Sequence, residues 1–464
     1  MNKPNRLRPP VDHRVGIRSY PDMEPGSIAD KMPYVDYGTE LVDPRRYRDP
    51  AEATREWDKL WTKVWTLAGF SSDIPAPGDW FKYDLGHESF VVVRGDDMVI
   101  RAFYNVCPHR GNQIVRSDFG SANSCLQCSF HGWSFNIDGS LASIKEPETF
   151  RTEALAQATG LTPVRCETWS GFIFINMDND AGPLLDFLGV LPEHLDRFRL
   201  EKMRVLEDIV YLYDANWKTL QDAFLEFYHG DTVHPELAST METYFCQYDL
   251  YPKGISRMIL PYGYAPDKLD DPETVNEMLK MALRQYCGDP SDWPDLKGYE
   301  YKTAIVAAKR RLSQTAGWHH FAGLSDDQIV DDWNYAIFPN VTLNIMGESC
   351  LVQSFRPDPN DPAKSIWRSV MLNLPSADPA FKPIVLSSMG QNVFGPDGWD
   401  GTARPPILYA KTPAETGFIL AQDCELIPPV QAGMRSRAFK GYNLSEQEIR
   451  IRHFLAELDR YLDA

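Results

Sequence analysis

The sequence lacks any apolar run of the roughly 18 residues needed to cross a bilayer, and residues 1–15 hold no hydrophobic stretch of the kind that directs secretion. A cytoplasmic location and no membrane partner are the expectations. A basic surplus is also missing. Lys and Arg number 47 against 65 Asp and Glu, a formal net charge of −18 over 464 residues. That balance argues against nucleic acid or an anionic membrane, because both demand a basic face. The short run Lys309-Arg310-Arg311 reads as a solvated helix face. There is no G-x-G-x-x-G and no G-x-x-x-x-G-K-[ST], so no nucleotide-binding domain is evident, and no repeat or low-complexity segment. Cysteines are few, eight in all. In a cytoplasmic setting they read as free thiols or metal ligands rather than disulfides.

What is present suits a globular chain long enough for two cores. Residues 1–48, rich in Pro, Asp and Arg without periodicity, read as an extended arm. Asp49-Pro50 opens a helix over 50–63, with Asp as cap and Pro in the first turn; Trp57, Leu60, Trp61 and Val64 give it an apolar face. Short alternating segments broken by Gly, Pro and Asp follow, which predicts a small antiparallel β domain; with the helix it spans 49–175. Residues 176–464 mix strands (Met203 to Tyr213, Trp333 to Ile345, Ser349 to Phe355, Ser365 to Leu374) with helices (Asp186 to Arg199, two within 272–316, and one after a Ser445/Glu448 capping box). The fold class is α+β, the larger domain an antiparallel sheet covered by helices. The motif-poor stretch 265–330 reads as a helical lid or channel wall.

The strongest local signal lies in the β domain: Cys107-Pro-His109-Arg110-Gly111 and, further on, Cys128-Ser-Phe-His131-Gly132-Trp133. Two Cys and two His can hold zinc or an iron–sulfur cluster. Zinc fingers pair cysteine with cysteine and histidine with histidine. Here each loop offers one thiolate and one imidazole, which suits a [2Fe–2S] cluster whose cysteines hold one iron and histidines the other. Cys125 makes a C-x-x-C with Cys128, but only Cys128 has a histidine three residues later.

The second signal is the stretch from Asp214 to Pro235, which reads as a helix ending at Gly230. On a wheel, Asp222, Glu226 and His229 share one stripe, and Trp217, Leu220, Phe224 and Phe227 lie roughly opposite. His234 follows His229 by five residues, so the two imidazoles converge only if the helix breaks; Gly230 and Pro235 supply the break.

The first signal closely resembles the Rieske fingerprint. The second, as N-W-K…E-F-Y-H-x₄-H-P, resembles the catalytic domain of the Rieske non-heme iron oxygenases. The resemblance implies a Rieske [2Fe–2S] cluster on Cys107, His109, Cys128 and His131, and a mononuclear Fe(II) on His229 and His234. It implies a third, carboxylate ligand from the segment Ala421 to Ser436, where an acid precedes Gln-x-Gly by eight residues. That is Asp423, with Glu425 the runner-up. It makes Glu226 a group shared by two metals, bonded to an iron-ligating histidine and to a cluster histidine of the neighbouring subunit, His131 in this numbering. Asp222, where many members carry Asn, would hold water or substrate near the iron or cap local backbone. The implied protein is the terminal component of a multicomponent oxygenase. It uses O2 and electrons from a separate ferredoxin or NAD(P)H-dependent reductase, assembled as a homotrimer. Its substrate would be an apolar or aromatic small molecule that it hydroxylates or oxidatively dealkylates. Glu226 tilts the outcome away from the rival, cis-dihydroxylation of an aromatic ring. A Rieske electron carrier or a zinc-stapled binding protein are the remote alternatives. Phe224, Leu225, Phe338, Val341, Leu343 and Ile345 are candidates for an apolar pocket, with core packing the competing role.

Overall fold

Alternation along the strand Glu88–Arg94 explains how the first sheet is built. Successive side chains point to opposite faces. Phe90 and Val92 enter one apolar cluster; Val91 and Val93 enter another. All four are buried, so the strand is covered on both sides. The computed structural model describes residues 27–464, apart from 123, 238–239, 242, 244–245, 263–276, 289–295, 298–299, 379–380, 382, 384–398 and 400. The first sheet is antiparallel throughout, in the order Thr66–Phe70, Phe172–Asn176, Pro163–Trp169, Ile100–Tyr104, Glu88–Arg94, Asp79–Leu85, Phe119–Ser121. A small sheet of Cys125–Gln127, Ser134–Asn136 and Leu141–Ser143 sits beside it.

The second sheet has eight strands. Gln247–Leu250, Ser256–Leu260, Asp332–Ile337, Val341–Met346, Ser349–Pro357, Ser365–Asn373 and Arg204–Tyr213 are antiparallel. The short edge strand Leu408–Ala410 runs parallel to Arg204–Tyr213, a departure from the all-antiparallel expectation. One face of this sheet packs into an apolar core containing Val341, Leu343 and Ile345. The other face floors a cavity. The C-terminal helix Ile449–Leu462 closes the fold; Glu448 Oε2 accepts from the Ser445 N–H at 2.8 Å, as the capping pattern predicts.

Several expectations change in detail. Of the arm, residues 1–26 lie outside the described residues. Beyond them a turn at 27–30 leads into irregular chain over 31–43 and a 3-10 turn at Pro44–Tyr47, and the Met32 N–H donates to Asp249 at 2.8 Å. The helix Pro50–Glu56, capped by Asp49, loosens into a π-type turn over Trp57–Trp61, where the Thr62 N–H reaches back to the Trp57 carbonyl. The stretch from Asp186 to Arg199 divides into short turns: Leu184–Leu188, Leu191–Leu195 and Asp196–Phe198, broken at Gly189. Of the expected lid, residues 265–276, 289–295 and 298–299 lie outside the described residues. Its helices Glu277–Cys287 and Tyr301–Ala316 line the cavity through Tyr286, Tyr301 and Ile305.

The largest correction concerns the helix expected from Asp214 to Gly230. It runs only over Trp217–Asp222, capped by Asn216, and does not continue to Gly230. Residues 223–229 form turns, and a one-turn helix, Gly230–Val233, follows. The Glu226 carboxylate gives the physical reason. Its Oε2 accepts from the backbone N–H of Tyr228 and of His229 (3.1 Å to the latter). Those donors are thereby served outside a regular i→i−4 ladder, the competition that polar side chains offer to helices. The two histidines flank the short helix Gly230–Val233, where the expectation had His229 on the last turn of a long helix and His234 beyond its end.

Candidate metal centres and the cavity between them and the sheet

The two loops of the β domain share one backbone plan. The Cys107 N–H donates to the Asn112 carbonyl (2.8 Å), and the Gly111 N–H donates back to the Cys107 carbonyl (2.9 Å). In the second loop the Cys128 N–H donates to the Trp133 carbonyl (2.8 Å), and the Gly132 N–H to the Cys128 carbonyl (3.0 Å). Both glycines have φ of +74°, a left-handed conformation that strains any residue with a Cβ. Backbone N–H groups of His109 and Arg110 aim at the Cys107 sulfur, and those of Phe130 and His131 at the Cys128 sulfur. Asn112 Nδ2 lies 3.5 Å from Cys128 Sγ. Sulfurs surrounded by donors are suited to carry negative charge. The His109 ring stacks on Trp133 (4.9 Å, 4° between planes), and its centroid is 4.7 Å from that of His131. Cys125 is half-buried on its strand, outside the apolar cluster that takes in Cys107 and Cys128.

This arrangement discriminates between metals. One tetrahedral zinc would need its four donors within about 4 Å of one another. Among the described residues, no three of these four bring donor atoms within 4.8 Å of one another. The two thiols adjoin and the two imidazoles adjoin. Two pairs, rather than a quartet, fit a [2Fe–2S] group with a Cys pair on one iron and a His pair on the other.

The second constellation does converge. One donor atom each from His229, His234 and Asp423 lies within 4.8 Å of the other two. His229 Nε2 is 3.7 Å and His234 Nε2 3.4 Å from Asp423 Oδ1. Cis ligands about 2.1 Å from one ion lie about 3 Å apart, so the gap suits a single metal. Asp423 comes from the helix Phe418–Gly433, which the sequence pattern did not reveal, and is buried; Glu425, two residues on, is exposed. Each histidine is fixed through its other nitrogen. Nδ1 of His229 bonds Glu226 Oε1 at 2.6 Å, and Nδ1 of His234 bonds Gln422 Oε1 at 2.7 Å. Gln422 Nε2 in turn donates to Glu236 at 3.1 Å. Both Nδ1 atoms are thus committed as donors, which leaves the Nε2 lone pairs facing Asp423. Such outer partners orient a ligating imidazole and raise its basicity. Burial works against a charged His229 ring, but Glu226 and then Asp423 outweigh it and hold the ring's pKa above its ordinary value. Gln422 was missed by sequence reasoning; its adjacency to Asp423 was the available signal.

Asp222 does not line the cavity. It is buried behind the wall near Tyr47, Lys218, Glu448 and Glu226; the Tyr47 hydroxyl is its one nearby donor, and among the described residues no donor makes a close hydrogen bond to either carboxylate oxygen. Burial pushes its pKa up to about 7, against the pull of Tyr47 and Lys218.

A cavity of about 310 Å³ opens beside the three converging groups. Phe224, Phe227 and Leu420 wall it on the metal side, and the sheet face floors it. Of the six apolar-pocket candidates only Phe224 lines it. Val341, Leu343 and Ile345 point from the opposite face of their strand into the core, and Leu225 and Phe338 are buried in another apolar cluster.

With this geometry in view, comparison with known proteins is direct. Residues 64–157 match the Rieske [2Fe-2S] domain model, and residues 200–464 match the model of the ring hydroxylating alpha subunit (catalytic domain). The carnitine monooxygenase oxygenase subunit of Acinetobacter baumannii is 34% identical over 192 residues, 40% of this chain and 50% of that protein. The biphenyl 2,3-dioxygenase subunit alpha of Rhodococcus jostii is 33% identical over 211 residues, 44% and 45% of the two. The chain thus spans about half the length of the curated relatives it matches. In fold it resembles a quaternary ammonium Rieske monooxygenase (TM-score 0.65, 19% identity, 93% of this chain and 99% of that one). It likewise resembles naphthalene 1,2-dioxygenase from Rhodococcus sp. (TM-score 0.62, 20% identity, 91% and 94%).

Proposed function

We infer the activity of this chain from the family to which it belongs, the ring-hydroxylating alpha subunits that carry a Rieske [2Fe–2S] domain and a catalytic domain. The two domains imply a Rieske cluster and a mononuclear iron as cofactors. The chain is then a terminal oxygenase that takes electrons from a separate ferredoxin or NAD(P)H-dependent reductase and uses O2 to hydroxylate or oxidatively dealkylate a small organic molecule. The observation that carries this reading is the convergence of His229, His234 and Asp423 beside a cavity, in a chain that also presents two Cys/His loops.

Cys107 and Cys128 would hold one cluster iron, and His109 and His131 the other. His229, His234 and Asp423 would hold the mononuclear iron, whose open positions supply oxygen activation. Glu226 orients His229 and keeps its Nδ1 protonated; through a neighbouring subunit it would meet His131. That role calls for the homotrimer. Gln422 does for His234 what Glu226 does for His229, without the charge. Phe224, Phe227 and Leu420 keep water from the reacting face. Residues 49–175 would form the cluster unit and 176–464 the catalytic unit, ranges that enclose the two family matches. No helix among the described residues is long and apolar enough to cross a membrane, and a cytoplasmic location accords with the composition.

A second reading, cis-dihydroxylation of an aromatic ring, is favoured by the biphenyl dioxygenase relative and by the phenylalanines at the metal side. Purified protein should be coloured and contain labile sulfide and three irons per chain. Colourless, zinc-bearing protein would end the oxygenase reading. Product analysis with a reductase supplied distinguishes one inserted oxygen atom from two.

A further inference from the structure

The cavity floor is built from alternate residues of neighbouring strands. Register aligns Met258, Asn334, Asn344, Leu351 and Met371 in one row, and pairs Leu260 with Asp332 in the next. Within this mostly apolar surface sits a polar island. Asn344 Nδ2 donates to Asp332 Oδ2 at 2.8 Å, which fixes the orientation of that amide. The remaining oxygens, Asp332 Oδ1, Asn334 Oδ1 and Asn344 Oδ1, are buried and have no hydrogen-bond partner among the described residues, and Asp332 is only 6% exposed. Buried polar oxygens are ordinarily served by a donor, and a ligand in the cavity could supply one here.

Among the described residues no cation of the wall answers them. Lys309 lines the cavity, but its ammonium is spent on the carbonyls of Ile329 (3.1 Å) and Met346 (3.3 Å) and on Glu348 (2.9 Å). Arg450 acts on the Asp332 carboxyl through charge alone, and among the described residues the two form no ion pair. Burial pushes the Asp332 carboxyl up to about 7, as expected for an acid with no full counter-charge. The island and the three converging groups line the same cavity, so a small molecule held there can face both.

We propose that Asp332, Asn334 and Asn344 form a recognition subsite for a donor-bearing cationic head, a primary or secondary ammonium. The carbon to be oxidised would then lie toward His229, His234 and Asp423. This rests on the oxygenase reading and adds the substrate class. A quaternary ammonium brings charge but no N–H; a hydrocarbon brings neither.

The test is equilibrium binding by calorimetry to the metal-loaded protein, without reductant so that no turnover intervenes. The probes are 2-phenylethylamine, its N,N,N-trimethyl analogue and propylbenzene. The primary ammonium should bind about tenfold or more tighter than either comparator. Asp332→Asn should erase that preference, and Asn344→Leu should weaken it while leaving the acid in place. Equal binding of propylbenzene, equal binding of the trimethyl probe, no binding of the amine, or an undiminished preference in either folded variant would overturn the proposal. Protein that takes up no iron, or that gives no oxidised product from any compound tried, would instead count against the oxygenase reading, whereas the binding preference is read without turnover.

Discussion

Asp222→Asn should stabilise this protein at neutral pH. The carboxyl closes the helix Trp217–Asp222 inside the fold, with only the Tyr47 hydroxyl as a weak donor and no close hydrogen bond to either oxygen among the described residues. Burial is the main cause that lifts its pKa from the 3.8 of a free carboxyl to about 7; Tyr47 and Lys218 oppose the rise, while Glu448 and Glu226 add to it. The sign follows from linkage. Between 3.8 and 7 the folded chain keeps a proton that the unfolded chain has released, so stability falls as pH rises through that window and the loss is complete above it. Each pH unit is worth about 1.36 kcal/mol, so the full penalty is on the order of 4 kcal/mol, with about 3 of it developing between pH 5 and pH 8. Asparagine has the same shape and nothing to ionise. Thermal unfolding of both proteins across that range should show the variant gaining steadily on the wild type as pH rises. A difference that does not change with pH, or a wild type that gains instead, would refute the reasoning and mean that an unseen donor serves the carboxylate.

The remaining predictions concern the centres and the core. Asp423→Ala should lose mononuclear iron by elemental analysis while the cluster's visible absorbance is retained, whereas Glu425→Ala, at an exposed position, should keep both. Glu226→Ala should leave both metals loaded yet block turnover; normal coupled product formation would remove the carboxylate from the electron path. Gln422→Leu frees His234 Nδ1 from its 2.7 Å partner and should weaken iron retention against a chelator by about 10- to 100-fold. Lys218→Met strips the buried Glu56 carboxylate of a 2.6 Å ion pair and should lower unfolding stability by about 3–5 kcal/mol in chemical denaturation.

How much of this was legible in the sequence depended on range. The cluster loops could be read because each pairs its Cys and His within four residues and marks its turn with a glycine, all local information. Strands and the capped C-terminal helix were readable for the same reason. The helix expected to run to Gly230 was misjudged because Glu226 serves backbone donors that a wheel assumes are paired in the ladder. The helix Phe418–Gly433 went unseen because Pro428 and Pro429 sit within it, where proline ordinarily ends a helix. The acid on it could be picked only by likeness to a family motif. The polar floor was hidden differently. Strand Asp332–Ile337 is buried on both faces, so Asp332 and Asn334 carry no hydropathy signal beyond their two-residue spacing, and only the fold shows that they face a void.

The histidines at 229 and 234 stand on turns and a single helical turn, while their acidic counterpart stands on a four-turn helix from a remote part of the chain. An ion seated among them acts as a removable rivet, clamping a loosely organised ribbon to a stiff post. Emptying the site should therefore loosen the 223–234 ribbon far more than the post, and metal loading should register as slowed amide exchange along that ribbon before any substrate arrives.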